Sequence, residues 1–377
     1  MPDLSLTSVL IKPAGPDCNL ACAYCFYLKK SALFEEGRHR MSEAILRESM
    51  RQVMHQGGAQ VNIGWQGGEP TLMGRTFFEK AVHYQNRCSR PGQQAANALQ
   101  TNGLLIDLNW AAFLREHQFL VGLSLDGPAH IHDRYRTFSG GRPSWERVAA
   151  ARDLLLQAGV AVNALIVVND YSIQFAREMY EYHKKNGLVH MQFISCLEPD
   201  PLHPGRWAAY SADADAYGRF LIELFDLWRA DFRHGQPTTF IRWFDSLFFT
   251  YVGLDAPECT LLPACGVYVV IEHDGSVYSC DFYVDEAHRL GNVLDGKLQD
   301  MLNSKVQKQF GADKGHLPEI CTSCPWLTHC HGGCPRERIF SSDGVNALCA
   351  SWKQFFEYAD PWFSRLAAEW LAKNRIP

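Results

Sequence analysis

The chain has 377 residues, of which 47% are apolar and 20% charged, and a formal net charge of −5. That length allows two or three domains and a large core, and the composition is ordinary for a globular protein. The mildly acidic balance excludes a broad basic footprint for nucleic acid. No apolar stretch reaches membrane-span length and the start Met1-Pro2-Asp3 lacks a basic signal region, so the expectation is a soluble, cytoplasmic protein with no membrane partner.

In chain order, an apolar run over 7–12 reads as the first strand. Directly after it come Cys18, Cys22 and Cys25, at spacings of four and three. Structural zinc is closed by four ligands, so three thiolates without a nearby His suit it poorly. A cubane iron–sulfur cluster held by three thiolates instead leaves one iron open for a substrate or cofactor. Three buried apolar cysteines on a turn is the plainer alternative.

Further strands are predicted over 60–65, 95–100, 120–125, 160–168 and 190–196. Helical patterns lie between them over 42–55, 75–87, 107–117, 144–158 and 172–185. Ser42, Asp107 and Ser144 are candidate N-caps, and Gly57, Gly159 and Gly187 candidate C-terminal stops. Near-continuous apolar strands alternating with helices imply βαβ units around a parallel sheet. Six strands are too few for a full eight-stranded barrel, so the expectation is an open, partial (βα)6 TIM-like barrel with its site at the C-terminal strand ends. Each chemical candidate in this half follows a strand. The cysteine loop follows the first, Gln66-Gly67-Gly68-Glu69-Pro70 the second, Thr101-Asn102-Gly103 the third, and Ser124-Leu125-Asp126-Gly127 the fourth, with Arg136 a little downstream.

A long helical pattern over 205–235 carries an aromatic stripe suited to core packing. Alternation ends after Gly235, where a domain boundary is expected, giving a first domain of 1–235 and a second of 236–377. The second begins with a strand over 238–243 and a short helix. A hairpin follows, 267–272 and 276–280 around Asp274-Gly275. Helices are predicted over 298–310 and 352–372.

The chain has thirteen cysteines. In a cytoplasmic protein they are poor candidates for disulfides, and an odd count pairs badly. Cys88 and Cys196 stand apart as ordinary thiols. The second region holds eight more, Cys259, Cys265, Cys280, Cys321, Cys324, Cys330, Cys334 and Cys349, enough for two four-thiolate sites. Zinc ribbons have the same stoichiometry, and taken alone this segment slightly favours them. The three-cysteine loop upstream reverses the preference, because a protein that already holds one cluster can use others for electron transfer.

Cys18-x3-Cys22-x2-Cys25, with Tyr24 at the aromatic position, resembles the signature of the radical S-adenosylmethionine (SAM) superfamily. Gly67-Gly68-Glu69-Pro70 resembles its motif for the methionyl amine. The eight downstream cysteines resemble the SPASM extension, a small cysteine-rich α+β domain with two auxiliary clusters. Cys25-Phe26-Tyr27, residues 65–72, 99–103, 119–128 and 274–283, and His331-Gly332-Gly333-Cys334-Pro335 are similar to the anaerobic sulfatase-maturating enzymes.

The resemblance implies three 4Fe–4S clusters and SAM as cofactors. Cys18, Cys22 and Cys25 would hold the SAM-binding cluster, and Tyr24, Gly68, Ser124, Arg136 and Leu197 would contact SAM. Cys259, Cys265, Cys280 and Cys334 would hold one auxiliary cluster, and Cys321, Cys324, Cys330 and Cys349 the other, a partition that spacing does not supply. Asp281 would be the general base. The implied activity is post-translational oxidation of a sulfatase Cys or Ser to Cα-formylglycine by a 5′-deoxyadenosyl radical, with a flavodoxin- or ferredoxin-type electron donor and sensitivity to oxygen. The rival within the superfamily is a maturase that crosslinks another peptide by thioether or carbon–carbon bonds.

Overall fold

A computed structural model describes residues 3–374 of the chain. Contacts divide it into two units, each assembled from separated stretches of sequence. One comprises residues up to 125 with 132–163 and 266–311, and the other 126–131, 164–265 and 312 onward. The fold is mixed α/β with parallel strands, as the alternating pattern predicts.

In the first unit β1 (Leu6–Lys12), β2 (Gly57–Trp65), β3 (Gln94–Thr101) and β4 (Leu120–Ser124) lie side by side and parallel. The register pairs Ile11 with Trp65 and Thr101 with Leu123, which brings their C-terminal ends to one edge. Helices Glu43–Gln56, Arg75–Cys88, Leu108–Glu116 and Trp145–Gln157 follow these strands in turn. Ser42 and Asp107 cap as predicted, accepting from the N–H groups of Ile45 (3.3 Å) and Trp110 (2.8 Å). Ser144 does not cap its helix. Its hydroxyl donates to the Arg136 carbonyl at 2.6 Å instead. Gly159 and Gly187 take left-handed conformations after their helices, with φ of 72° and 79°. Gly57 ends its helix in extended backbone and opens β2.

The Asp274-Gly275 turn joins β8 (Val269–Glu272) to β9 (Ser276–Tyr278) as an antiparallel hairpin, with Gly275 at φ 84°. β8 also lies parallel to β1, pairing Glu272 with Lys12, and β10 (Arg289–Asn292), absent from the sequence prediction, pairs with β9. This pairing carries 266–311 into the first unit, although it follows residue 235 in sequence. The helix predicted over 298–310 is two, Leu298–Leu302 and Lys305–Asp313.

In the second unit β5 (Ala161–Val168, from Ala164) pairs with β6 (His190–Ser195), and β6 with a two-residue β7 (Phe240–Ile241), all parallel. The strand predicted over 238–243 is cut short because Arg242 already opens the helix Arg242–Tyr251, which buries Trp243, Phe244 and Leu247. Helix Ala214–Ala230, capped by Asp213, is shorter than the predicted 205–235. Its Phe225 packs edge-on against Phe244 and Phe355, the latter from the closing helix Cys349–Asn374. That helix starts at Cys349, ahead of the predicted 352.

Candidate functional site

The cysteine loop of the first unit leaves β1 through a turn in which Gly15 N–H donates to Lys12 O (3.1 Å). It then runs against the loop after β2. Gly68 N–H donates to Gly15 O and Glu69 N–H to Asp17 O, both at 2.8 Å. A side chain on Gly68 would place its Cβ 2.0 Å from Asp17 O, so close backbone approach requires glycine here. The carboxylate of Glu69 is fully buried and turned inward. It accepts from Thr71 N–H (2.9 Å), Thr71 Oγ1 (2.6 Å), Thr101 Oγ1 (2.8 Å) and Asn102 N–H (2.8 Å). Burial nevertheless raises its pKa. Glu69 therefore ties the loop after β2 to the loop after β3, and Asn102 carries the tie onward, donating to Asn19 Oδ1 at 2.7 Å.

On its other side the cysteine loop donates from Ala21 N–H to Thr137 O (2.8 Å) and from Ala23 N–H to Tyr135 O (3.1 Å). The buried Arg136 guanidinium lies 5.4 Å from the centre of the Tyr24 ring. Tyr24, Gly68 and Arg136 thus gather round the three thiols, and Ser124 ends β4 at the same strand edge. Leu197 is buried just beyond β6, in the second unit.

Cys18, Cys22 and Cys25 form no disulfides. Burial first and then nearby Glu69 push the Cys18 thiol up to about 12, so metal must displace its proton. Three thiols outside any disulfide on one loop match a cluster with an open iron.

The same unit connects this loop to Asp281. Lys12, the wholly buried last residue of β1, ion-pairs with the Asp281 carboxylate and sits over the Tyr27 ring, 3.6 Å from its centre. Tyr27 lies two residues past Cys25, and its hydroxyl donates to Glu272 Oε1 (2.6 Å) and Oε2 (2.7 Å). Burial pushes the Glu272 carboxyl up to about 7, against the opposing influence of Lys12 and Tyr27. Phe26 packs on Phe282 at 4.7 Å between ring centres. Lys12, Tyr27 and Glu272 were not singled out from the sequence. The available signal was a charged residue ending each of two otherwise apolar strands, Val9-Leu10-Ile11-Lys12 and Val269-Val270-Ile271-Glu272.

In the second unit Cys321, Cys324, Cys330 and Cys349 line one cavity with Ile320, Trp326, Trp352 and Phe356. Cys321 and Cys324 share a short turn, Cys324 N–H donating to Cys321 O at 3.1 Å. Left-handed His331, Gly332 and Gly333 (φ 45°, 70° and 65°) reverse the chain between Cys330 and Cys334. Cys330 is pushed up to about 11, chiefly by burial. Four free thiols around an apolar cavity fit a four-thiolate cluster. Cys259, Cys265 and Cys334 also belong to this unit and surround buried Lys314, while Cys280 follows β9 in the first unit, next to Asp281.

Residues 13–182 match the radical SAM superfamily and residues 263–325 match SPASM, an iron–sulfur cluster-binding domain. The chain is 39% identical over 369 residues to a cysteine-type anaerobic sulfatase-maturating enzyme of Clostridium perfringens, covering 96% of this chain and 97% of that one. It is 34% identical over 389 residues to a serine-type enzyme of Bacteroides thetaiotaomicron, covering 98% and 93%. A solved structure described as native anSMEcpe with bound AdoMet and Cp18Cys peptide superposes with a TM-score of 0.89 at 37% identity, over 96% of this chain and 99% of that one. Streptococcus suis SuiB shares the fold, with a TM-score of 0.63 at 16% identity over 93% of this chain and 76% of that one.

Proposed function

This chain belongs to the anaerobic sulfatase-maturating enzymes of the radical SAM superfamily, and from that membership we propose that it oxidises a Cys or Ser of a sulfatase polypeptide to Cα-formylglycine in the cytoplasm. The observation that carries the proposal is the continuous path, within one unit, from the three-thiol loop through Tyr27 and Lys12 to Asp281.

Cys18, Cys22 and Cys25 would hold the cluster that receives SAM, and bound SAM supplies one-electron chemistry able to take a hydrogen atom from the substrate β-carbon. Tyr24, Gly68, Ser124, Arg136 and Leu197 would contact SAM. Gly68 leaves backbone rather than side chain at its position, and Arg136 offers a buried cation. Glu69 serves by holding the loops after β2 and β3 in register, since its carboxylate oxygens are already occupied by protein donors.

Asp281 would take the proton from the substrate thiol or hydroxyl, its carboxylate oriented by the Lys12 ammonium. Cys259, Cys265, Cys280 and Cys334 would hold one auxiliary cluster, and Cys321, Cys324, Cys330 and Cys349 the other. A flavodoxin- or ferredoxin-type protein would supply electrons. In functional terms residues 1–235 form the radical SAM core and 236–377 the SPASM region.

Anaerobic incubation of the reconstituted enzyme with SAM, a strong reductant and two sulfatase-type peptides tests the proposal. One peptide carries Cys at the target position and the other Ser. The expected product is formylglycine, read by mass spectrometry, in at least one of them. Formation of 5′-deoxyadenosine with both peptides unchanged would refute the sulfatase assignment.

A further inference from the structure

Lys314 is 0% exposed, and its ammonium donates to Cys259 O at 2.7 Å and Thr260 O at 2.9 Å. No carboxylate pairs with it among the described residues. The ionisable groups near it are the thiols of Cys265, Cys259 and Cys334 and the guanidinium of Arg338. Arg338 in turn donates to Lys314 O (3.0 Å), Gly332 O (3.0 Å) and His331 O (3.2 Å), locking the backbone of Lys314 and the turn that leads to Cys334. A buried ammonium with only carbonyl partners is costly unless negative charge stands beside it. Among the described residues the source of that charge beside Lys314 is the thiols, once they are ionised by a metal centre.

We infer that Lys314 is a positioning residue that raises the reduction potential of the auxiliary cluster to which Cys259, Cys265 and Cys334 contribute. The inference rests on the ligand set given under the proposed function. Oxidation of the substrate carbon to the aldehyde level releases two electrons. One would leave with the hydrogen atom that the chemistry of bound SAM takes from the β-carbon, the thiol or hydroxyl proton would go to Asp281, and the second electron would pass to the cluster. Reduction adds one negative charge to a thiolate-ligated centre. A fixed cation in the same low-dielectric surroundings stabilises that added charge, and so favours the reduced form. Neither Lys314 nor Arg338 touches the substrate in this scheme.

The test is a potentiometric titration, read by electron paramagnetic resonance, of the full chain with its clusters reconstituted anaerobically. Wild type is compared with Lys314→Met, Lys314→Gln and Lys314→Arg. The two neutral variants are expected to shift the one-electron reduction equilibrium of this cluster at least tenfold towards the oxidised form, about 59 mV lower. Lys314→Arg should stay near wild type, so that the shift follows charge and not packing. Loss of one cluster's iron and sulfide from both neutral variants, with full loading of Lys314→Arg, also supports the inference, because the charge is then needed to hold the cluster. Equal potentials in all fully loaded forms overturn it. If Cys259→Ala and Cys334→Ala leave the iron content of the protein unchanged, the ligand reading beneath it falls, and the inference with it.

Discussion

Replacing Lys12 with Met exchanges a buried ammonium for an apolar chain of similar length, at the point where the cysteine loop meets Asp281. Lys12 and Glu272 are 0% exposed and Asp281 is 8% exposed, so the carboxylates left behind cannot recover their hydration. Removing one partner from a buried ion pair costs about 3–5 kcal/mol. Loss of the ammonium over the Tyr27 ring adds up to about 2 kcal/mol for a desolvated cation–π contact. Glu272 offsets part of this. Its carboxyl already sits at about 7, and without Lys12 it goes higher and takes up a proton, which removes one of the two stranded charges. The expected loss is therefore about 4 kcal/mol at neutral pH, the middle of the buried-pair range. Denaturant unfolding of Lys12→Met, Asp281→Asn and the double variant, all prepared anaerobically, closes a double-mutant cycle. The double variant should be less damaged than the sum of the singles by about 2 kcal/mol or more, because neutral Asn has no charge to strand. Additivity within about 0.5 kcal/mol would show that Lys12 and Asp281 do not depend on each other, and the reasoning would fail.

Asp281→Asn should leave SAM cleavage running while formylglycine falls about 10²–10⁴-fold, the usual contribution of a positioned base; parallel assays of 5′-deoxyadenosine and modified peptide check this, and an unchanged product yield removes Asp281 from the reaction. Gly68→Ala should force apart the loops after β1 and β2, costing about 2 kcal/mol for the two backbone hydrogen bonds they share and weakening iron retention by the three-thiol loop. Iron analysis beside unfolding curves reads both effects, and wild-type values for both would contradict the close approach. Glu272 has a folded pKa raised from 4.5 to about 7, so the folded state keeps a proton that the unfolded chain releases. Its contribution to stability is intact below about 4.5 and lost as pH rises through about 7, up to roughly 3 kcal/mol at 1.36 kcal/mol per unit. Glu272→Gln should flatten that decline in unfolding free energy measured against pH, and an unaltered slope would count against the assignment.

Much of the candidate site was legible because its chemistry is local in sequence. Three cysteines within eight residues announce a shared ligand, and Gly67-Gly68 after a strand announces close backbone approach. The six predicted strands are present, since apolar runs of this length bury themselves wherever they lie, and Ser42 and Asp107 cap as their side chains dictate. Local reasoning failed where a side chain had a better distant partner. Ser144 gives its hydroxyl to Arg136 O, and the last two residues of the predicted 238–243 strand instead open a helix that buries Trp243 and Phe244.

The amino-acid sequence by itself determined the alternation of strands and helices, the three-thiol loop and the supply of eight further thiols, because periodicity and ligand spacing are properties of short segments. Only the tertiary structure decided what those segments meet. The parallel pairing of β1 with β8 crosses some 260 positions of chain and sets Lys12 beside Glu272, within reach of Asp281. The inward turn of Glu69 depends on donors that the loops after β2 and β3 bring together. Lys314 reads as one more lysine after a helix until folding removes it from water and leaves it beside Cys259, Cys265 and Cys334. Burial and charge pairing are collective outcomes of packing, and no local pattern encodes them.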